Sequence, residues 1–187
     1  NQPESLLPMQ YSVLAERSIL AAILMEPSRI QEVVDRLHPD HFYFENHAQV
    51  YRAMQECYRE GLQPDTVTVL TRLRIDARFQ PKDAGLLLAD ILHDTTAVVQ
   101  IDLIGQYATE VIRLALVRKL VTVGAEIQKI AYQSGGRITE AIDQSRRLLD
   151  TVAQEVPDGA LLHIEQVAGE VVNQVDDGAD HQTVLTT

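Results

Sequence analysis

Residues 112–152, IRLALVRKLVTVGAEIQKIAYQSGGRITEAIDQSRRLLDTV, carry apolar side chains at helical spacing on both sides of a glycine pair. Ile112, Leu116, Leu120, Val123, Ile127 and Ile130 recur at intervals of 4, 4, 3, 4 and 3, which is one stripe along a helix. Ser134-Gly135-Gly136 interrupts the pattern as a turn, and Ile138, Ala141, Ser145, Leu148 and Val152 resume it. Two helices joined by so short a turn form an antiparallel hairpin. The first arm begins near Val98 and reaches Gln133, roughly 50 Å if unbroken. That is longer than a head of about 95 residues can cover, so the outer apolar positions call for another chain. The residues expected at that partner interface are Val121, Ile127, Ile130, Ile138, Ile142 and Leu149.

Upstream, Ser12 is placed to cap a helix over 13–25, which Pro27-Ser28 breaks. A short helix over Ile30, Val33, Val34 and Leu37 stops at His38-Pro39, because proline pushes its predecessor out of the helical region. An amphipathic helix follows over 46–60, with Val50, Ala53, Met54, Cys57 and Tyr58 inside and Gly61 just past its end. Pro64-Asp65-Thr66 starts another, and a loop over 78–83 leads to a helix over 86–92. No strand alternation stands out. The fold expected is all-α: a compact multi-helix head over 1–95, the hairpin over 96–156, and a linker helix and tail over 157–187.

That last segment has six carboxylates and no Lys or Arg. Its apolar residues Leu161, Ile164, Ala168, Val171 and Val175 recur at 3, 4, 3 and 4, behind the break Pro157-Asp158-Gly159. A lone amphipathic helix there suits docking on a surface outside the chain. The start at Asn1 and the end in TVLTT suggest a piece cut from something longer.

Composition narrows the function classes. With three lysines, thirteen scattered arginines and a net charge of −11, the chain lacks the clustered cations that hold a phosphate backbone, so little direct DNA binding is expected. No apolar run approaches the ~18 residues of a membrane span, and the expected location is cytoplasmic. The one cysteine, Cys57, cannot form an internal disulfide and suits a helix interior.

No GxxxxGK[ST], HExxH, CxxC or GxSxG occurs, so no catalytic residue and no cofactor site is expected. Two weaker patterns remain. His38, Asp40, His41, Glu45 and His47 crowd ten positions, yet their spacing does not impose the convergence that zinc requires. The same stretch reads as an interhelical corner, with Phe42, Tyr43 and Phe44 as wedges and His47 packed or hydrogen-bonded. The dipeptide His93-Asp94, with His47 and Asp102, resembles the ligand set of HD-type metal-dependent phosphohydrolases. There the plainer reading is an interhelical turn in which Asp94 caps the next helix. A generic helical adaptor is a third possibility.

Five pieces in order, LPMQYSVLAERSILAAIL (7–24), LHPDHFYFENHAQVYRAM (37–54), GLQPDTVTV (61–69), LLLADILHDTTAVVQIDLIGQYATEVIRLALVRKL (86–120) and the hairpin, carry a resemblance. Together they resemble the N-terminal domain of the DnaB family of replicative DNA helicases, from about Leu7 to Val156. Ala15-Glu16 with Ser18 and Leu20, Phe42-Tyr43 with His47 and Tyr51, and Gly61, Pro64-Asp65 and Thr68-Val69 are the most specific parts. Departures are Tyr11 where the family often has Asn, Leu14 for an acid, Ala21 for Gly and Gln100 for Asn.

The resemblance implies a non-catalytic collar on a ring-shaped hexamer, itself a trimer of dimers in which hairpins pair. It implies primase as a partner at the replication fork, and docking of the linker helix on the motor domain of a neighbouring subunit. ATP and magnesium would belong to that motor, which would begin after Thr187.

Overall fold

The computed structural model describes residues 11–75, 81–95 and 100–156, and no strand occurs among them. Helix α1 (Val13–Met25) is the centre of the first unit. Ser12 caps it, its Oγ accepting the Ala15 N–H at 3.2 Å. Ala15, Glu16 and every residue from Ser18 to Leu24 are buried, so this helix is enclosed on nearly all sides rather than along one stripe. A 3₁₀ turn, Pro27–Glu32, follows, and a second, Pro39–His41, opens the corner into α2 (Glu45–Arg59).

Helix α2 shows the amphipathic pattern: His47, Val50, Tyr51, Met54 and Cys57 face the core. Gly61 ends it with φ +76°, while the Leu62 N–H reaches the Cys57 carbonyl and the Gly61 N–H that of Tyr58. Both are the bonds that close a helix through a left-handed glycine. Helix α3 (Thr66–Ile75) starts at Asp65, whose carboxylate accepts the Thr68 N–H at 2.8 Å.

Helix α4 (Pro81–Thr95) packs on both α1 and α3. It begins earlier and ends later than the sequence suggested. His93 and Asp94 lie in its last turn, not in a turn between helices, so Asp94 does not open the helix that follows.

After a 3₁₀ turn, Ile101–Leu103, α5 runs for 30 residues (Ile104–Gln133). Its first half belongs to the head. Ile104, Ala108, Val111 and Ile112 join the same buried cluster as Ile19, Leu20, Ile23, Leu37, Tyr51 and Met54. Each Ile, Leu, Val or Met side chain so buried contributes about 1.5–3 kcal/mol. The contacts carry the first unit through Val121, and the second begins at Thr122.

Three arginines reach across the chain to α5 and its approach. Arg29 donates to Asp102 at 2.7 Å, and Arg36 donates to the Gly105 carbonyl at 2.7 Å and to Thr109 Oγ1 at 3.1 Å. Arg118, from α5, donates to the His41 carbonyl at 2.7 Å.

In the second unit, the end of α5 and α6 (Ile138–Ala153) form the two arms of the hairpin. Gly135 (φ +55°) and Gly136 (φ +94°) make the turn, in a region that side chains with a Cβ disfavour. Residues 157–187 lie outside the described residues, and with them the linker positions Leu161, Ile164, Ala168, Val171 and Val175.

Candidate functional site

The histidine-rich corner is organised by a residue from another helix. Glu16, on α1, is 1 % exposed, and its carboxylate accepts the Tyr43 N–H at 2.6 Å and the Phe44 N–H at 3.5 Å. His47 Nδ1 lies 2.8 Å from Glu16 Oε2, the oxygen that also faces Phe44, and His47 is 4 % exposed. A carboxylate can only accept, which places the proton of this contact on Nδ1. Phe44 occupies the N-cap position of α2 but offers no side-chain acceptor. Glu16 instead holds the two backbone N–H groups that lead into the helix, with its negative charge near the positive end of α2.

Arg118 closes the corner from α5. Its guanidinium stands 5.5 Å from the centre of the Tyr43 ring while it holds the His41 carbonyl. Burial lowers the proton affinity of Arg118 below the usual arginine value, and the Glu16 carboxylate and Tyr43 oppose that. Tyr11 stacks on Tyr43 with ring centres 4.4 Å apart and meets Phe44 edge-on. Phe42 turns inward against Tyr51.

This arrangement decides between the readings of the cluster. His47 is committed to Glu16, and His41 Nδ1 accepts the His38 N–H at 3.1 Å. Among the described residues no three His, Cys, Asp or Glu side chains are placed to hold a metal. Of the HD-type set, Asp102 is the acceptor of Arg29 and His47 lies buried beside Glu16. The corner is packing and hydrogen bonding.

A groove of about 230 Å³ between α2 and α3, lined by Gln49, Arg52, Ala53, Glu56, Arg72, Leu73 and Ile75, is smaller than the ~300–1,000 Å³ of typical ligand sites. Its two guanidiniums are engaged, Arg72 by Glu60 and Arg52 at 4.0 Å from Asp40.

The hairpin is the other candidate, and here the six expected interface residues divide. Ile127 and Ile130 are half-buried on the side of α5 that carries the buried Val123. On α6, Ala141, Ser145, Leu148 and Val152 are half-buried or buried. Ile138, Ile142 and Leu149 form the neighbouring stripe of α6 and are 65 %, 53 % and 44 % exposed. Val121, the last residue of the first unit, is 51 % exposed. At 100° per residue the apolar face of α6 spans roughly a third of its circumference, and only one side of that face is covered.

The comparisons with known proteins agree with this architecture. Residues 8–113 match the family model described as DnaB-like helicase N terminal domain. The chain is 25 % identical over 170 residues to the replicative DNA helicase DnaB of Synechocystis sp., covering 91 % of this chain and 19 % of that protein. It is 32 % identical over 154 residues to the DnaB of Leifsonia xyli subsp. xyli, covering 79 % and 32 %. The chain thus spans a fifth to a third of these two relatives.

Among solved structures, the N-terminal domain of DnaB helicase from Mycobacterium tuberculosis superposes with a TM-score of 0.67 at 27 % identity, over 76 % of this chain and 98 % of that one. A DnaB-like replicative helicase described with its interactions with primase gives 0.58 at 21 % identity, over 84 % and 35 %, a likeness of fold.

Proposed function

The chain belongs to the DnaB-like helicase N-terminal domain family, and on that premise we propose that it is the collar of a hexameric replicative DNA helicase, assembling through its hairpin and recruiting primase. The domain matched is the non-catalytic part of such proteins. ATP hydrolysis and its magnesium would reside in a motor domain beyond this chain, and the collar itself would need no cofactor.

The uncovered apolar stripe Ile138, Ile142 and Leu149 carries the assembly half of the reading. Burying it against a second copy, at about 25 cal/mol per Å², favours pairing, while lost freedom of the two chains opposes it. Six copies would then form a trimer of dimers, with the segment bearing Leu161, Ile164, Ala168, Val171 and Val175 docked on the motor of a neighbouring subunit. The primase half is supported by the relative of the same fold described with primase. The net charge of −11 suits a role built on protein contacts, with little direct DNA binding. The place of action would be the cytoplasmic replication fork; no helix among the described residues is long and apolar enough to cross a membrane.

The test is a calorimetric titration with the C-terminal domain of primase from the same organism, run beside light-scattering mass. Saturable binding by an oligomer is expected. A folded monomer that binds no primase would overturn both halves of the proposal.

A further inference from the structure

We infer that α6 pairs antiparallel with α6 of a second copy, in a register locked by Arg146 of each chain against Asp143 of the other. This rests on the self-pairing of the hairpin proposed for the collar, and adds to it the direction, the register and the two side chains that set them.

The exposed stripe of α6 is not wholly apolar. Ile138, Ile142 and Leu149 are separated by 4 and 7 residues, and Arg146 fills the wider gap at 4 and 3 from its neighbours. Asp143 stands about 60° further around the helix. Both side chains are exposed, and neither has a hydrogen-bond or ion-pair partner among the described residues. Two other pairs of the hairpin at the same i,i+3 spacing are closed, Lys129 with Glu126 at 3.4 Å and Arg137 with Glu140 at 3.6 Å. An arginine left open inside an apolar stripe calls for an acceptor at the edge of whatever covers that stripe.

A two-fold pair presents the same surface from both sides, so α6 must supply that acceptor itself. Set parallel, two copies bring Arg146 against Arg146 and Asp143 against Asp143, which like charges oppose. Set antiparallel with Ile138 opposite Leu149, the midpoint falls between Asp143 and Gln144, and the two copies of Ile142 flank the centre. Arg146 then stands about 3 Å along the axis from Asp143 of the second copy, on the same side of the contact, and symmetry makes the pair twice. The arginine stem covers apolar surface while its head reaches the carboxylate. Charge thus selects one direction and one register for a stripe whose apolar residues alone would permit several.

The test is a mixing experiment on the full chain, read as the dissociation constant of self-association by sedimentation, with circular dichroism for helicity. Arg146→Glu alone sets Glu against Asp143 of the second copy, and Asp143→Arg alone sets Arg against Arg146. Each should weaken self-association about tenfold while helicity stays that of the parent. Mixed in equal amounts, the two variants restore opposite charges at both contacts of the mixed dimer, which should form with about the affinity of the parent. An effect confined to one chain gives no such recovery. A mixture no tighter than its components, beside a parent that self-associates, would overturn the register alone. A parent that stays monomeric would leave the stripe to a different protein and overturn the register together with the assembly reading.

Discussion

Glu16 and His47, 31 residues apart, meet at 2.8 Å in the interior of the head, and the same carboxylate holds the backbone at Tyr43 and Phe44. One side chain therefore joins α1 to α2 and fixes the corner between them. Glu16→Ala would leave His47 and two backbone donors without their acceptor. Removing one member of a buried pair costs about 3–5 kcal/mol. A loss near ~3 kcal/mol in urea denaturation is expected, and less than ~1 kcal/mol would deny the pair its structural role. Glu16→Leu combined with His47→Leu should cost less than the sum of the single changes.

Asp65 gives the stability a pH dependence of known sign. The Thr68 N–H and hydroxyl hold its carboxyl below the ordinary value of 3.8. A group with a depressed folded-state pKa stabilises fully above its unfolded value, and that contribution is lost as the pH falls through the folded one. The melting temperature should thus drop below about pH 4, and Asp65→Asn, which still caps, should flatten that part of the profile. At pH 7, Asp65→Ala should cost about 1 kcal/mol. Identical profiles for parent and Asn variant would count against this cap.

The two apolar stripes of α6 should respond differently to charge. Ile142→Glu and Leu149→Glu alter exposed positions, so helicity and melting should stay within about 0.5 kcal/mol of the parent while self-association weakens. Val152→Asp places a charge at a buried position and should lower hairpin stability by about 2 kcal/mol or more. Light-scattering mass and circular dichroism separate the two. Equal loss of helicity in all three variants would show that the stripes do not have separate roles.

Cys57 is fully buried, and burial raises its thiol pKa while Arg72 partly opposes this. A thiol reagent should modify it at the rate of unfolding, at least a hundredfold below a free thiol. Reaction at the free-thiol rate in the native state would contradict the packing of α2 on α3.

What could be read from the sequence was the local part. The Ser12 cap, the end of α2 at Gly61 and the hairpin turn at Gly135-Gly136 each follow from chemistry within four residues. Glu16 was visible as an acid inside an apolar run, but nothing nearby announces a partner on another helix. The extent of α4 escaped because His93-Asp94 has the composition of a turn while the helix runs on to Thr95. The stripe of α5 was plain, yet a stripe does not name what covers it. Ile112 packs in the head core, Val123 is buried within the second unit, and Ile127 and Ile130 lie half-buried on its side. Sequence spacing is the same in all of these, and only the third dimension separates them.

The long reach of the arginines has a consequence for synthesis. Arg29 to Asp102, Arg36 to Thr109 and His41 to Arg118 span 73, 73 and 77 residues, and the core of the head needs Ile104, Ala108, Val111 and Ile112 besides. The first four helices therefore leave the ribosome before the element that completes their core, and contacts so distant in sequence close late. For that interval α1, apolar on nearly every side, has an incomplete cover. The nascent head therefore keeps apolar surface open until the first half of α5 has emerged.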